Sequence, residues 1–350
     1  MTRKSISLKS LTLISIAALI ACTDKADDSG EIADDTAATD SGTTEPAPAY
    51  AWETAFDTTG SGAISGVWGS GPSDVFAVGG TPDASTIYHY DGAAWSPMDA
   101  PDVPLLVWVF GFGPDDVYAV GVDGGFVHYD GAAWTTIDSG TTEDLWGIWG
   151  ASADDIWIVG GEIDDGDPII LHYDGATVAP YTLNPDENTR GAESLFKVWG
   201  IGDTLFIVGQ RGLILTWDGS DWVNSPAGGE ADDDFVSLWG TSEDNIVAVG
   251  GRSNGRLATW DGSAWTTQQL SGVPGLNAVN MQTDDEAVIG GIYGFTGSFT
   301  PSTNVIANDS VLTSLDVHAI WGDGQGTFYA VGGRFYDPYE GVALVRTATE

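Results

Sequence analysis

The sequence predicts an all-β fold, a seven-bladed β-propeller of four-stranded antiparallel blades. A Val-Gly or Ile-Gly pair recurs seven times at spacings of 39 to 49 residues, and periods near forty are typical of propeller blades. Runs such as DVFAVGG and DVYAVGV are short, β-branched and aromatic, which favours strands over helices. Most repeats also carry an Asp-Gly pair, a strong hairpin signal. The marker glycines are Gly79, Gly121, Gly160, Gly209, Gly250, Gly290 and Gly332.

Four strands can be assigned in each repeat, and the third repeat shows them best. We place strand a near Leu145 to Gly150, b near Asp155 to Val159, c near Ile169 to Tyr173 and d near Thr177 to Thr182. Strands c and d are joined by Asp-Gly, because glycine tolerates the positive φ that such turns require. The same join recurs at Asp91-Gly92, Asp130-Gly131, Asp218-Gly219 and Asp261-Gly262.

The two ends of the body predict how the ring closes. The seventh repeat stops after its strand c, at VALVRTATE, whereas Tyr50 to Ala55 has the pattern of a strand d and carries Trp52. If this N-terminal strand completes the last blade, no strand edge is left exposed. That closure resembles the one in WD-repeat propellers. The sixth repeat, residues 276–315, lacks both marker tryptophans and the Asp-Gly turn, and Gly290 keeps it in phase.

The repeats VWGSGPSDVFAVGG and IYHYDGAAW resemble those of secreted bacterial proteins, many of them lipoproteins. The resemblance covers nearly everything from residue 50 to 350 and implies a propeller. YDGAAW also resembles the Asp-box of sialidase-type propellers, although the residue between Asp and Gly and the preceding Ser or Thr are absent. Propellers serve as lectins, scaffolds and enzymes, so the resemblance alone implies no single function.

The N-terminal segment has the features of an export signal. Residues 1–21 combine a positive start (Arg3, Lys4, Lys9) with an apolar stretch that is too short to span a bilayer. They end in Leu-Ile-Ala before Cys22, which resembles the lipobox of bacterial lipoproteins, and Cys22 would carry the lipid. Residues 22–49 are acidic and poor in apolar residues, and we expect a disordered tether. Thr23 after the cysteine implies an extracytoplasmic position at the outer membrane if the organism is Gram-negative.

The charge balance limits the partners. The chain carries 51 acidic and 11 basic residues, a net charge of −40. Nucleic acid and anionic lipid are therefore poor partners, and we expect contact with the membrane only through the lipid on Cys22. The charge serves either solubility or a calcium-rich surface.

Most aromatic and histidine residues fall at fixed repeat positions, which favours structural roles. Tryptophans that recur in strands a and d are expected to pack between neighbouring blades. His89, His128 and His172 each precede Tyr-Asp-Gly on successive blades and cannot converge on one metal, and His318 is expected in the core. The chain has no second cysteine and its histidines are assigned to structural positions, so nucleophilic catalysis has little support. The strand a tryptophans are Trp68, Trp149, Trp199, Trp239 and Trp321, and those of strand d are Trp95, Trp134, Trp222 and Trp265.

One group of carboxylates stands apart from the turn positions. Glu162, Asp164, Asp165 and Asp167 lie in an enlarged loop between strands b and c of the third repeat. Oxygen-rich loops suit calcium, but no full calcium-loop spacing is present. Calcium therefore stays an open alternative, and no other cofactor is predicted.

The few basic residues of the body cluster in loops that share one face. In a propeller the b-to-c loops and the d-to-a connections emerge on the same face, the top face, and insertions on one face of a repeat fold often mark the binding face. Arginines there suit carboxylates or phosphates, or they neutralise nearby acids such as Glu162, Asp337 and Glu340. We place Arg190 and Lys197 in the d-to-a connection before the fourth blade and the other four candidate arginines in or beside b-to-c loops. The candidate binding residues are Arg190, Lys197, Arg211, Arg252, Arg256, Arg334, Tyr336 and Tyr339, with Tyr293, Phe295 and Phe335 as further aromatic surface.

These features favour a monomeric, lipid-anchored binding or scaffold module for an envelope protein or glycan. A carbohydrate-active enzyme, a glycoside hydrolase or lyase using top-face carboxylates, is one alternative. A periplasmic outer-membrane assembly factor is another, by analogy with the lipoprotein propeller of the barrel-assembly machine. Whether the chain is catalytic stays open, although the missing catalytic set favours binding.

Overall fold

The fold is a ring of seven antiparallel sheets with four strands each, as predicted. A computed structural model describes residues 50–163, 166–184, 189–225, 233–309 and 311–348. Neighbouring first strands contact one another in succession from β2 to β26, and β26 contacts β2 again, which closes the ring around a central channel. No helix in the described residues is long and apolar enough to cross a membrane.

The strands occupy four positions from the channel outward. The first strands are β2 Ala63–Gly71, β6 Leu106–Gly113, β10 Leu145–Ser152, β14 Leu195–Ile201, β18 Phe235–Ser242, β22 Leu276–Thr283 and β26 Asp316–Gly322. The second are β3 Asp74–Thr81, β7 Asp116–Gly121, β11 Asp155–Gly160, β15 Thr204–Gly209, β19 Asn245–Gly250, β23 Glu286–Gly291 and β27 Phe328–Arg334.

The two outer positions complete each blade. The third strands are β4 Ala84–Tyr90, β8 Phe126–Tyr129, β12 Ile169–Tyr173, β16 Ile214–Trp217, β20 Arg256–Trp260, β24 Thr296–Thr300 and β28 Glu340–Ala348. The fourth are β5 Trp95–Pro97, β9 Trp134–Thr136, β13 Val178–Tyr181, β17 Trp222–Asn224, β21 Trp265–Gln269, β25 Val305–Asn308 and, in blade 7, the N-terminal β1 Tyr50–Thr54. Short 3-10 turns lie at Val122–Gly124, Gln210–Gly212 and Ile292–Gly294.

Each blade requires glycine at the marker position, because a main-chain carbonyl lies where a Cβ would be. In blade 3 a Cβ on Gly160 would lie 2.0 Å from the carbonyl oxygen of Asp144, so no side chain fits. The sixth repeat was assigned to Gly290, but Gly291 is the residue that pairs with the start of the first strand and meets the Gly275 carbonyl. The assignment was therefore one residue out of register, although blade 6 forms all four strands.

The Trp-Gly pair of the first strand joins neighbouring blades. The indole of Trp68 lies against Gly111 of the next blade, where an added Cβ would be 2.8 Å from its ring. Trp321 lies on Gly69 in the same way across the closure. Since aromatic rings bury large apolar areas, this contact packs one blade on the next, as the sequence pattern predicted. Trp149 on Gly200 and Trp199 on Gly240 repeat it.

The tryptophans of the fourth strands pack between blades as well. Trp222 in blade 4 meets Trp157 in blade 3 edge-on, with ring centroids 5.4 Å apart. Trp265 in blade 5 contacts Phe206 in blade 4 at 5.1 Å. Trp222 and Trp265 are buried, so most of their area is removed from water.

The Asp-Gly hairpins are held by the aspartate side chain. Asp91 Oδ1 accepts hydrogen bonds from the backbone N–H groups of Ala93 and Ala94, both at 2.9 Å. These donors hold the pKa of Asp91 below its usual value, because they favour the charged carboxylate. Asp130, Asp174, Asp218 and Asp261 make the same turn.

The N-terminal strand is sealed into the interface between blades 6 and 7. Trp52 is 5% exposed and packs with Val288, Ile320 and Phe328. Its indole Nε1 donates to Asp309 Oδ2 at 2.8 Å. The closure of the ring therefore depends on the side chain of Trp52 as well as on the pairing of β1 with β28.

We expect Trp52→Ala to lower the free energy of unfolding by about 3 to 5 kcal/mol, because it leaves a cavity and breaks the closure. Trp52→Phe keeps an aromatic side chain, loses the hydrogen bond to Asp309 and part of the buried area, and should cost about 1 to 2 kcal/mol. Urea denaturation followed by fluorescence measures both. Wild-type stability in the alanine variant would contradict the role of this strand.

Candidate functional site

The predicted top face is present. The loops between second and third strands contact the connections that lead from one blade to the next: Gly251 N–H donates to the Asp234 carbonyl at 2.9 Å, and Gly124 N–H donates to the Glu143 carbonyl at 2.9 Å. Both loop classes therefore lie together, and we keep the name top face for them.

Even-numbered blades share a turn that the sequence analysis missed. Three residues between the second and third strands form a 3-10 turn whose middle residue has a positive φ of 53 to 60° and is exposed. A carboxylate from the following blade accepts its backbone N–H; for Arg211 this is Asp234 Oδ1, at 3.0 Å. Non-glycine residues adopt this conformation at a cost of about 1 kcal/mol. The pairs of turn residue and carboxylate are Asp123 with Asp144, Arg211 with Asp234 and Tyr293 with Asp316.

Two of these capping carboxylates are buried enough to have raised pKa values. Burial raises the pKa of Asp144 to about 6, with the nearby charge of Glu162 acting in the same direction. Burial also raises the pKa of Asp316. In the sequence, each turn residue is followed by a glycine. These glycines also have a positive φ, and they are the feature from which the turn could have been predicted.

Three of the candidate arginines are paired with acids. Arg252 Nη2 lies 3.0 Å from Asp234 Oδ2, Arg256 Nε lies 2.9 Å from Asp233 Oδ2 and Arg334 Nη2 lies 2.9 Å from Glu340 Oε2. Glu340 was among the acids expected to neutralise this face, whereas Asp233 and Asp234 were not. Much of the charge of these arginines is therefore balanced within the chain.

Two other candidate arginines lie at positive φ. Arg211, at the tip of the blade 4 turn, is exposed, and its guanidinium has no ion pair among the described residues. Arg190, in the connection between blades 3 and 4, is half-buried and has partners of its own. Both therefore lie on the face where the sequence placed them.

Lys197 is the candidate whose predicted position was wrong. It was assigned to the connection before blade 4, but it lies within β14 and is 3% exposed. In all the blades one residue bulges near the start of the first strand; in blade 4 the bulge separates Leu195 from Lys197. The shift turns Lys197 into the central channel, away from the loops of the top face.

Two layers of equivalent positions run around the first strands, and their large side chains, such as Trp68, Trp108 and Lys197, line the channel. The Lys197 layer holds Gly66, Trp108, Gly147, Lys197, Ser237, Ala278 and Ala319, as their pairing with the second strands shows. The next layer holds Trp68, Phe110, Trp149, Trp199, Trp239, Asn280 and Trp321. Lys197 thus enters a space whose walls are largely aromatic.

The Lys197 amine lacks a hydrogen-bond partner. Its Nζ lies over the ring of Trp108, 2.6 Å from the centroid, and no described acceptor bonds it. The ring face favours the ammonium form, but loss of solvation outweighs it and lowers the pKa of Lys197 well below its ordinary value.

Aromatic residues at the top face divide into exposed and buried ones. Tyr336 is 52% exposed and Tyr293 is 68% exposed, whereas Tyr339 is half-buried. Phe295 was expected at the surface, but it is 8% exposed and belongs to the apolar cluster of blades 5 and 6. Phe335 packs edge-on against His318, with ring centroids 4.4 Å apart. The aromatic surface is therefore smaller than the sequence suggested.

Two aliphatic residues extend this exposed surface. Val311 is 61% and Leu312 53% exposed, in the connection from blade 6 to blade 7. This connection lies beside the Tyr293 turn, because the carbonyl of Thr313 closely approaches Gly294. We call Tyr293, Val311, Leu312 and Tyr336 the blade 6–7 patch.

The proposed calcium loop is described only in part. Glu162 and Asp167 are exposed, whereas Asp164 and Asp165 lie outside the described residues. Within the described ranges no three histidine, cysteine, aspartate or glutamate side chains form a group that could hold a metal.

The repeated histidines bind aspartates of their own blades. In each pair His Nε2 lies 2.7 to 2.8 Å from Asp Oδ1, between the third strand and the start of the second. This agrees with the structural role that the repeat position predicted. The pairs are His89 with Asp74, His128 with Asp116 and His172 with Asp155.

His318 differs from the other histidines. Its Nε2 is shielded from solvent and bonds no described residue, and burial lowers its pKa to about 4. It is therefore neutral at pH 7, but the residue as a whole is half-buried and does not belong to the core in which it was expected.

We expect Lys197→Met to raise the free energy of unfolding by about 1 to 3 kcal/mol at pH 7, because it fills similar volume without burying an amine. Between the folded and unfolded pKa values the unfolded chain holds a proton that the folded chain lacks, so wild-type stability falls as the pH is lowered. The advantage of the variant should therefore grow from pH 10 to pH 7. Urea titrations across this range measure it, and a variant less stable than wild type throughout would show that the amine stabilises the fold.

Comparison with known proteins shows the fold. No protein-family model and no curated protein matches the sequence. Solved structures match over most of the chain: YCF48 bound to a D1 peptide (14% identity, 88% of this chain and 99% of that chain, TM-score 0.63) and virginiamycin B lyase from Staphylococcus aureus (14%, 86% and 100%, 0.67). The WD40 repeats of RRP9 also match (9%, 85% and 97%, 0.64). At these identities the likeness establishes that this chain is a β-propeller.

Proposed function

We propose that this chain is a binding module whose blade 6–7 patch holds an extended segment of an envelope protein. The observation that carries the proposal is the exposure of four large apolar side chains in adjacent loops of the top face. Clustered apolar exposure on a soluble fold marks interaction sites. A propeller of similar fold is bound to a peptide, which supports the same use here.

The patch surroundings define the partner segment. Acidic groups lie near Tyr339, which is in the same loop as Tyr336: after burial, Asp337 and Asp83 contribute to raising the pKa of Tyr339. Arg334 is held by Glu340 and its guanidinium carbon lies 5.4 Å from the Tyr336 ring, which positions that tyrosine. With a net charge of −40 on the chain, a segment carrying both apolar and basic side chains is complementary.

The turn geometry presents the patch rigidly. Tyr293 sits at a φ of 60° with its backbone N–H bonded to Asp316 Oδ1 at 2.8 Å. Strained positions persist when the surroundings hold them, and they cluster at functional sites. A backbone that is already fixed loses little entropy on binding, which favours affinity.

We expect the full chain to select peptides rich in aromatic, aliphatic and basic residues from a peptide array. Tyr293→Ser combined with Tyr336→Ser should weaken binding by about tenfold or more, because hot-spot aromatics dominate interfaces. Val305→Ser is the matched control, since Val305 is 54% exposed on the outer strand of blade 6. Selection of acidic peptides or of glycans, or equal loss in the control, would contradict the patch as the site.

We also propose that the propeller is displayed from a membrane through Cys22, with residues 1–21 removed. The lipobox-like sequence before Cys22 and the acidic composition of residues 22–49 support this, and both segments lie outside the described residues. An anchor would hold the top face at the envelope, where its partner segment would reside.

Cys22→Ser should leave the chain soluble and abolish incorporation of labelled fatty acid, because a thiol is required for attachment of the lipid. Membrane fractionation with metabolic labelling in a bacterial host measures this. Equal membrane association of the variant and the wild type would exclude the anchor.

A further inference from the structure

Lys197 occupies a position where the other blades favour small residues. At its repeat position the other blades have Gly66, Gly147, Ser237, Ala278 and Ala319, and only Trp108 is also large. A Cβ on Gly147 would lie 2.9 Å from the Lys197 Cα, so packing between blades accounts for that glycine. Residues 50–350 contain no lysine besides Lys197. Lys197 and Trp108 are therefore the two long side chains of this layer, and they meet in the channel.

A purely structural plug would not need an amine. Methionine or leucine would fill the same volume at no cost in solvation, whereas burying an unpartnered amine costs free energy. Proteins violate such packing rules mainly at functional sites. The Lys197 Nζ is fully shielded and has no acceptor among the described residues, which leaves its bonding capacity unused.

We propose that Lys197 is a reactive amine that captures small aldehydes in the central channel as imines. The lone pair of Nζ attacks the carbonyl carbon and forms a C–N bond, and an amine proton passes to the carbonyl oxygen to give a carbinolamine. Loss of water then gives the imine, so one aldehyde is taken up and one water released. Lysines in apolar pockets are activated for this chemistry.

The walls of the channel limit the size of the aldehyde that can react and the steps that can follow imine formation. The free space beside Lys197 has a volume of about 10 Å³, close to the minimum that holds one water, so no carbonyl compound larger than formaldehyde would fit. Lys197 is the only ionisable residue among the described side chains that line the channel. With no second acid or base to carry the chemistry further, the reaction stops at the imine, and the site captures its ligand without turning it over.

Reductive methylation of the full chain tests this capture. The protein is treated with formaldehyde and cyanoborohydride at pH 7, and methylation is located by peptide mass spectrometry. Arg211→Lys supplies the matched control, because it places an ordinary exposed lysine in the same chain. Lys197 should react at least about tenfold faster than this lysine at pH 7, because a larger fraction of its amine is unprotonated and only the unprotonated amine attacks.

The size limit gives a second readout. Benzaldehyde should label the exposed control lysine and leave Lys197 unmodified. If formaldehyde modifies Lys197 only after denaturation, or no faster than the control lysine, Lys197 is a buried plug and the proposal is wrong. Each result is independent of the blade 6–7 patch, so failure of either proposal leaves the other standing.

Discussion

The contact on which the propeller depends is an indole ring laid on the glycine of the next blade. A glycine is required because a Cβ would occupy the space that the ring fills, as at Gly111 beneath Trp68. The contact recurs with Trp149 on Gly200, Trp199 on Gly240 and Trp321 on Gly69, so ring and glycine occur together at these interfaces. Blade 6 has Asn280 and Met281 at the corresponding positions, and it packs on blade 5 through a shared apolar cluster that includes Val249 and Leu276.

The fold could be predicted because its determinants are local and periodic. Strand limits in blade 3 agree with the sequence to within two residues, since turns and β-branched runs mark them. In blade 6 the periodic pattern led to Gly290, whereas the equivalent residue in the structure is Gly291. Both glycines satisfy the sequence pattern, and only the carbonyl of Gly275 distinguishes them.

The candidate site was predicted less well, because it depends on which way each side chain points and on which acid pairs with each arginine. Lys197 follows a bulge that sets which way its side chain faces, and a bulge leaves no clear mark in one sequence. Arg252 and Arg256 were identified as surface cations, but their acids come from the preceding connection, which carries no repeat signal. The exposed aliphatic residues Val311 and Leu312 lie in that kind of connection as well.

The alternation of turns between even and odd blades has a consequence for the ring as a whole. Seven is odd, so two blades of the same type must meet, and blades 7 and 1 do so at the junction where β1 closes the ring. There Gly333 lies against Ala63, and a Cβ on Gly341 would meet the Gly62 carbonyl. In the part of the chain that the structure describes, blades 7 and 1 are therefore the one pair of neighbours that both lack the 3-10 turn, and this irregularity coincides with the place where the chain enters and leaves the ring.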